Sequence, residues 1–259
     1  MTWPVQAARI TIFPLLASGS SPKSALDLYK AIWGKDPDSF QGPMAGSNPF
    51  PGSVAQGAEG NLNRVCQTQP IRTDLTFGPA ARTFGPDLAT IEDTVVLHAE
   101  MKKVFGTIDV AFQGTPLNRV AVYLQLGREA ANIPEANKIL SSTVWQGKQV
   151  ALTNEEDFIL QFNCPRPDAR DPTTKLNFIT KWSVERLQML TFLAGVPAAV
   201  GATNTSLVVE KIVPTVAFDN SNMPLQKPFD PGETTRILSE LFAEVAVQLK
   251  ACNMAVEGF

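Results

Sequence analysis

Residues 118–129, NRVAVYLQLGRE, alternate with a period of two, so that Val120, Val122, Leu124 and Leu126 share one face. That period belongs to a strand with one buried side. The segments that follow repeat it. In DFILQFNCP the aligned residues are Phe158, Leu160, Phe162 and Cys164, and in LNFITKWSVERL they are Leu176, Phe178, Trp182 and Val184. RPDARDPTTK, between those two, is a polar turn of the kind that joins antiparallel neighbours. SLVVEKIVPTVAF, residues 206–218, reads as the last strand, with Pro214 marking an edge position or a bulge. No helical crossover separates these strands, so their sheet is expected to be mainly antiparallel.

Upstream, a first strand is expected over roughly Ala8 to Leu16. In SGSSPKSALDLYKAIWG, Ser21 then serves as cap, Pro22 as the first helical residue and Gly34 as the left-handed stop, with Ala25, Leu28, Tyr29 and Ile32 on one face. Residues 35–61 are dense in Gly, Pro, Ser and Asn and read as one long connection, a surface or binding loop. NRVCQTQ and IRTDLTFGP follow as strands, the second with Ile71, Thr73, Leu75 and Phe77 opposite Arg72, Asp74 and Thr76. A second helix is expected from Asp87 or Thr90 to Phe105, with Thr90 and Asp93 spaced as a capping box and a stripe of Leu88, Ile91, Val95 and Met101. The closing helix is capped by Asp230, opened by Pro231 and boxed by Glu233, and carries Leu238, Leu241, Phe242, Val245 and Leu249 as its stripe. The expected order is β-α-β-β-α-β-β-β-β-α. This is an α+β fold: antiparallel sheet packed on one side against three helices, the last of them long. Residues 1–259 are expected to form one domain, or two halves of about 1–110 and 111–259, with no internal sequence repeat to be seen.

Composition narrows the function. With 44% hydrophobic residues in 259, the chain can bury a sizeable core. Its 22 basic and 25 acidic residues leave a formal charge of −3, and no basic stripe of the kind phosphate backbones require is visible. No nucleic-acid partner is expected. Cys66, Cys164 and Cys252 are odd in number and widely spaced, which fits reduced thiols and a cytoplasmic location. The run ITIFPLLASGS is broken by Pro14 and suits a strand better than a signal peptide, and no stretch is long enough to span a bilayer.

The one histidine, His98, opens the tripeptide His98-Ala99-Glu100 that zinc deaminases share, but no P-C-x-x-C follows to complete a metal site. Two residues apart on a helix, His98 and Glu100 point about 200° apart and cannot act on one atom. There is no G-x-S-x-G elbow, no phosphate loop and no dinucleotide fingerprint; the E-x-K at Glu100-Met101-Lys102 falls on a helix. The carboxylates Asp74, Glu185 and Glu155-Glu156-Asp157 could meet around a cation only if the fold gathered them, and a solvated acidic rim is the simpler reading. Arg72, Lys181 and Glu185 are placed to form weak cross-strand pairs. No catalytic residue, cofactor or metal is therefore assigned. Phe50 between two prolines, Trp145 in SSTVWQGKQ and Trp3 sit outside any core periodicity and are the candidate anchors for a protein partner.

The closing segment DPGETTRILSELFAEVAVQLKACNMAVEGF, the early apolar strand and the middle strands with polar outer faces together resemble, in layout, a group of sporadically distributed bacterial conserved-hypothetical proteins of similar length. The resemblance implies a role in defence or mobile-element systems and transfers no residue roles. The function expected from the residues is a non-enzymatic binding or accessory protein that docks a protein partner or itself through an exposed sheet face or the 35–61 loop. The alternative is a carrier of a small apolar ligand between the sheet and the C-terminal helix, with a carboxylate–metal enzyme third.

Overall fold

The structure, a computed structural model, describes residues 2–15, 23–42, 52–80, 87–144, 158–192, 206–230 and 232–259. Its elements are β1 (Val5–Pro14), α1 (Ala25–Trp33), β2 (Ser39–Gln41), β3 (Ser53–Glu59), β4 (Leu62–Gln69), β5 (Arg72–Pro79), α2 (Thr94–Ala111), β6 (Leu117–Gly127), α3 (Ile133–Ser141), β7 (Ile159–Asn163), β8 (Arg166–Pro167), β9 (Lys175–Phe192), β10 (Ser206–Asn222) and α4 (Glu233–Ala251). The fold is α+β, built on one sheet ordered β2-β3-β4-β5-β1-β6-β10-β9-β7, with β8 continuing the β7 edge along β9. Every strand pairing is antiparallel.

The strands of the first half lie to one side of the β1–β6 pair and those of the second half to the other. Each half starts with its central strand, follows it with a short helix, runs out and back through the sheet, and ends with a long helix. α1 packs on β3 and β4, α3 on β9 and β10, and α2 lies against α4. The antiparallel β1–β6 pairing is what a two-fold relation between the halves requires.

All four helices of the described residues occupy one face. Trp33 of α1 meets Phe77 edge-on, Gln248 of α4 donates to Thr180, and Trp182 donates its indole N–H to Thr143 just after α3. α2 is tied to the same face by the ion pair of Glu100 with Arg64 of β4. Ile10 and Ile12 of β1, Val122 and Leu124 of β6 and Phe218 of β10 fill the layer beneath and are fully buried. The stripe of α4 is the one the periodicity gives: Leu238, Leu241, Phe242, Val245 and Leu249 are all buried.

Several local expectations are corrected. A fourth helix, α3, starts at Asn132, whose side chain accepts from the Glu135 N–H, and buries only Ala136, Asn137 and Leu140, too few to make a stripe. Residues 35–61 hold β2 and β3 rather than one connection; residues 43–51, Phe50 among them, lie outside the described residues. β3 escapes notice because small residues fill it, and they are needed: a Cβ on Gly57 would stand 2.4 Å from the Tyr29 hydroxyl. Ser24, not Ser21, caps α1, while Gly34 closes it at φ 69° as expected. Asp93 caps α2, which runs on to Ala111 and buries Leu97, Met101, Val104, Phe105 and Ile108, leaving Val95 half exposed. α4 begins after Gly232 with no side-chain cap, and Asp230 supplies only its carbonyl, to Glu233 N–H. Ile71 is 73% exposed because it belongs to the β4–β5 turn and not to the buried face. Pro214 is neither on an edge strand nor at a break in the β9 register; its carbonyl accepts from Arg128 N–H at the end of the β6 pairing, so its missing N–H faces the place where the ladder stops.

The turn after β8 is anchored by Asp168, whose carboxylate is fully buried and accepts from Arg236 of α4 and from Arg170 N–H. Burial opposes its ionisation, but the Arg236 bond and the backbone donors prevail and hold its pKa below the ordinary carboxylate value. A lowered folded pKa gives stability that is present above the unfolded value and lost as pH falls through the folded one. Asp168→Asn is therefore expected to cost about 1.5–3 kcal/mol at pH 7, the loss of a buried charge-assisted pair with Arg236 retaining Glu233 and Glu240, and to flatten the acid limb of a urea-unfolding series below pH 4. Leu241→Asp, which forces a charge into the sheet–helix layer, is expected to abolish soluble expression, whereas Leu241→Ala loses about 2–5 kcal/mol in the same assay.

Candidate functional site

His98 and Glu100 go separate ways, as their spacing on α2 demands. Glu100 turns toward the sheet and binds Arg64 at 2.7 Å; His98 turns to the outer side, with its ring 5.0 Å from Phe242 and 5.2 Å from Phe259. Burial, with Lys102 nearby, lowers the His98 pKa. Cys66 and Cys252 are buried, and burial pushes both thiols up to about 12, so neither is a thiolate nucleophile at neutral pH.

The carboxylates do not converge. Asp74 on β5 and Glu185 on β9 stand four strands apart, and the registers, which set Asp74 level with Asn177, separate them by eight residues along the strands as well. Among the described residues no group of three or more His, Cys, Asp or Glu could hold a metal ion, and residues 155–157 lie outside them. Of the proposed cross-strand charges, Arg72 pairs with Asp74 at 2.7 Å and Glu185 receives the Thr215 hydroxyl.

Of the three aromatic anchors, Trp3 is corrected: it is 1% exposed and belongs to the core, beside the parallel bridge that Thr2 makes with Ala255. The chain start is a core element, which a lone tryptophan outside a periodic segment does not reveal. Phe50 and Trp145 lie outside the described residues.

What the structure does bring together is a set of polar side chains on the other face of the sheet, where among the described residues no helix lies. The β1–β6 register pairs Arg9 with Tyr123, Thr11 with Ala121 and Phe13 with Arg119. The Arg9 guanidinium stands 4.9 Å above the Tyr123 ring, and that of Arg119 stands 4.7 Å above Phe13. Between the two stacks lies a floor of small residues: Thr11 (3% exposed), Ala121 (7%) and Ser221 (3%). Asp74 binds the Thr11 hydroxyl at 2.7 Å and takes both Arg72, at 2.7 Å, and more loosely Arg9, at 3.6 Å. Arg119 reaches the Ser221 hydroxyl at 3.5 Å. Burial raises the pKa of Asp219, opposed by the fields of Arg9, Arg119 and Arg72. Burial pushes the Tyr123 phenol up to about 12; it stays protonated and donates to Gln125, which donates in turn to Gln6. The patch is cationic: three arginines against Asp74 and Asp219.

The two stacks also disclose a repeat. Arg9-Ile10-Thr11-Ile12-Phe13 and Arg119-Val120-Ala121-Val122-Tyr123 occupy equivalent places about the Thr11–Ala121 pair, and each arginine lies over the aromatic ring of the other half.

No family model, curated protein or solved structure matches the chain. Among the described residues, no helix is long and apolar enough to cross a membrane.

For His98, the lowered folded pKa means that protons bind the unfolded chain better, so stability falls as pH drops from about 6.5 toward the folded value. His98→Gln is expected to leave the thermal midpoint at pH 7.5 nearly unchanged and to remove that slope between pH 7 and 5. A large loss of stability at pH 7.5 would show that the ring contacts matter more than this.

Proposed function

We propose that this chain is a non-enzymatic binding protein that docks a protein partner on the face of its sheet that carries no helix among the described residues. The observation that supports the reading is the division of labour between the two faces: one buries the core under four helices, while the other carries stacked, partly exposed arginines around a small-residue floor. Arginine and tyrosine are the residues that protein interfaces favour, because each combines a broad apolar surface with directed polar groups. The layout resemblance to sporadically distributed bacterial proteins makes components of defence or mobile-element systems the first partners to try. The apolar-carrier reading has less support. The space between α4 and the sheet holds packed side chains and a polar bridge from Asn220 through Gln248 to Thr180, and the apolar cavity of about 270 Å³ beside His98 lies between α2 and α4.

Ala121→Trp tests the reading, because the new ring fills the floor without entering the core. A partner purified from native lysate and titrated back by calorimetry is expected to lose binding to Ala121→Trp and to keep it with Ala243→Trp on the helical side. If the partner were this chain itself, a sedimenting mass above the 28.0 kDa monomer would fall to the monomer value in the same variant. Equal binding by wild type and Ala121→Trp would overturn the proposal.

A further inference from the structure

We propose that two copies of this chain pair through β7, Ile159–Asn163, in an antiparallel two-fold contact centred on Gln161 that continues the sheet from one molecule into the next. The inference is independent of the docking reading and uses a different surface.

The sheet ends in β2 on one side and in β7 on the other. Natural sheets blunt such ends with short strands, charge, proline or a bulge, because unpaired N–H and C=O groups recruit further strands. β2 is blunted: it is three residues long and follows Asp36 and Asp38. β7 is not. Its five residues include no charge and no proline, and its register with β9 runs without a break. Ile159 is 65% exposed, and Gln161 and Asn163 are exposed beside it.

Hydrogen-bond parity selects the occupant. The Cys164 N–H donates to the Phe178 carbonyl and the Val184 N–H to that of Phe158, so the even-numbered residues of β7 turn their backbone groups to β9. Ile159, Gln161 and Asn163 turn theirs outward, and among the described residues nothing bonds them. Pro165, next in that row, has no N–H and ends it. A row of this length and phase is complementary to itself. About a two-fold axis Gln161 meets its own counterpart and Ile159 meets Asn163, which pairs every outward N–H and C=O of β7 in both copies. On the helix side Leu160 comes opposite Phe162 of the second copy in a non-hydrogen-bonded pair, the closer kind, so apolar side chains left partly buried at the edge cover each other. The axis stands perpendicular to the sheet, and both copies carry their helices on the same side.

Sedimentation velocity across a concentration series is expected to give twice the 28.0 kDa mass of one chain, and Gln161→Pro to return it to one. The Gln161 N–H faces away from β9, so proline removes it from the contact and leaves β7 in its sheet, which a circular dichroism melt matching wild type establishes. Gln161→Lys, which sets like charges opposite each other, is expected to weaken the dimer about tenfold or more. Oxidation of added cysteines reads the register. Gln161→Cys is expected to cross-link two copies, because opposed Cα atoms in a hydrogen-bonded pair stand about 5.5 Å apart, whereas Ile159→Cys faces Asn163 of the second copy and stays uncross-linked. A monomer at every concentration, a dimer unchanged by both Gln161→Pro and Gln161→Lys, or equal cross-linking at the two positions would overturn the proposal. A dimer that survives those two variants and is lost with Ala121→Trp would lie on the arginine-bearing face, which sinks this inference and leaves the docking reading standing.

Discussion

The register of the β1–β6 pair is the constraint on which the rest depends. With Ile10 opposite Val122 and Arg9 opposite Tyr123, Ile10, Ile12, Val120, Val122 and Leu124 of the two central strands face the helices, and Arg9 and Arg119 face away. Side chains alternate along a strand, so a slip of one residue would place arginines under α4 and isoleucines in water. The same pair joins the two halves of the chain, and helices from both halves pack on its apolar side. Few single contacts in the molecule decide so much.

The sheet was legible where strands are half buried. Val120 to Leu126, Leu176 to Trp182 and the stripe of α4 all follow the sequence pattern, because one face of each element meets the core and the other meets water. Legibility failed where that contrast is weak. α3 buries three residues and β3 is made of small ones fitted against Tyr29, so neither carries a period strong enough to be read. The start of α2 was misplaced because Leu88, Ile91 and Val95 imitate a stripe, although Ile91 in fact bridges to Val5 ahead of the helix. The candidate site was illegible for a different reason. Its residues read singly, Arg72 and Asp74 as polar positions on a strand, and their assembly across β5, β1, β6 and β10 depends on a strand order that no local pattern contains.

The duplicated pentapeptide shows how little sequence a structural repeat needs. Between Arg9–Phe13 and Arg119–Tyr123 only the arginine is identical; the buried positions change from isoleucine to valine, the aromatic from phenylalanine to tyrosine, and the centre from threonine to alanine. What is kept is the class of each side chain, which is all that packing and stacking require. The neighbouring strands diverge in charge. The place held by Arg72 beside Phe13 in one half is held by Asp219 beside Tyr123 in the other, so the repeat is symmetric in shape and asymmetric in electrostatics.

A broad sheet face that carries no helix among the described residues has to avoid pairing with other sheets, and scattered charge achieves that. Lysine would suffice for that purpose, since it is strongly hydrated and needs no fixed orientation. The centre of this face uses arginine at three positions, two of them laid over aromatic rings; Arg72 Nε meets Asp74 at 2.7 Å, while the Nε atoms of Arg9 and Arg119 are buried without a hydrogen bond among the described residues. A buried donor left unsatisfied costs on the order of 1–3 kcal/mol, and restricting a long side chain adds to that. Solubility gives no return on such an arrangement. Planar cations do give one where they can lie on a ring and approach a carboxylate at a fixed position, as Arg9 does over Tyr123 beside Asp74, and this physical difference separates arginine from lysine at the centre of the face.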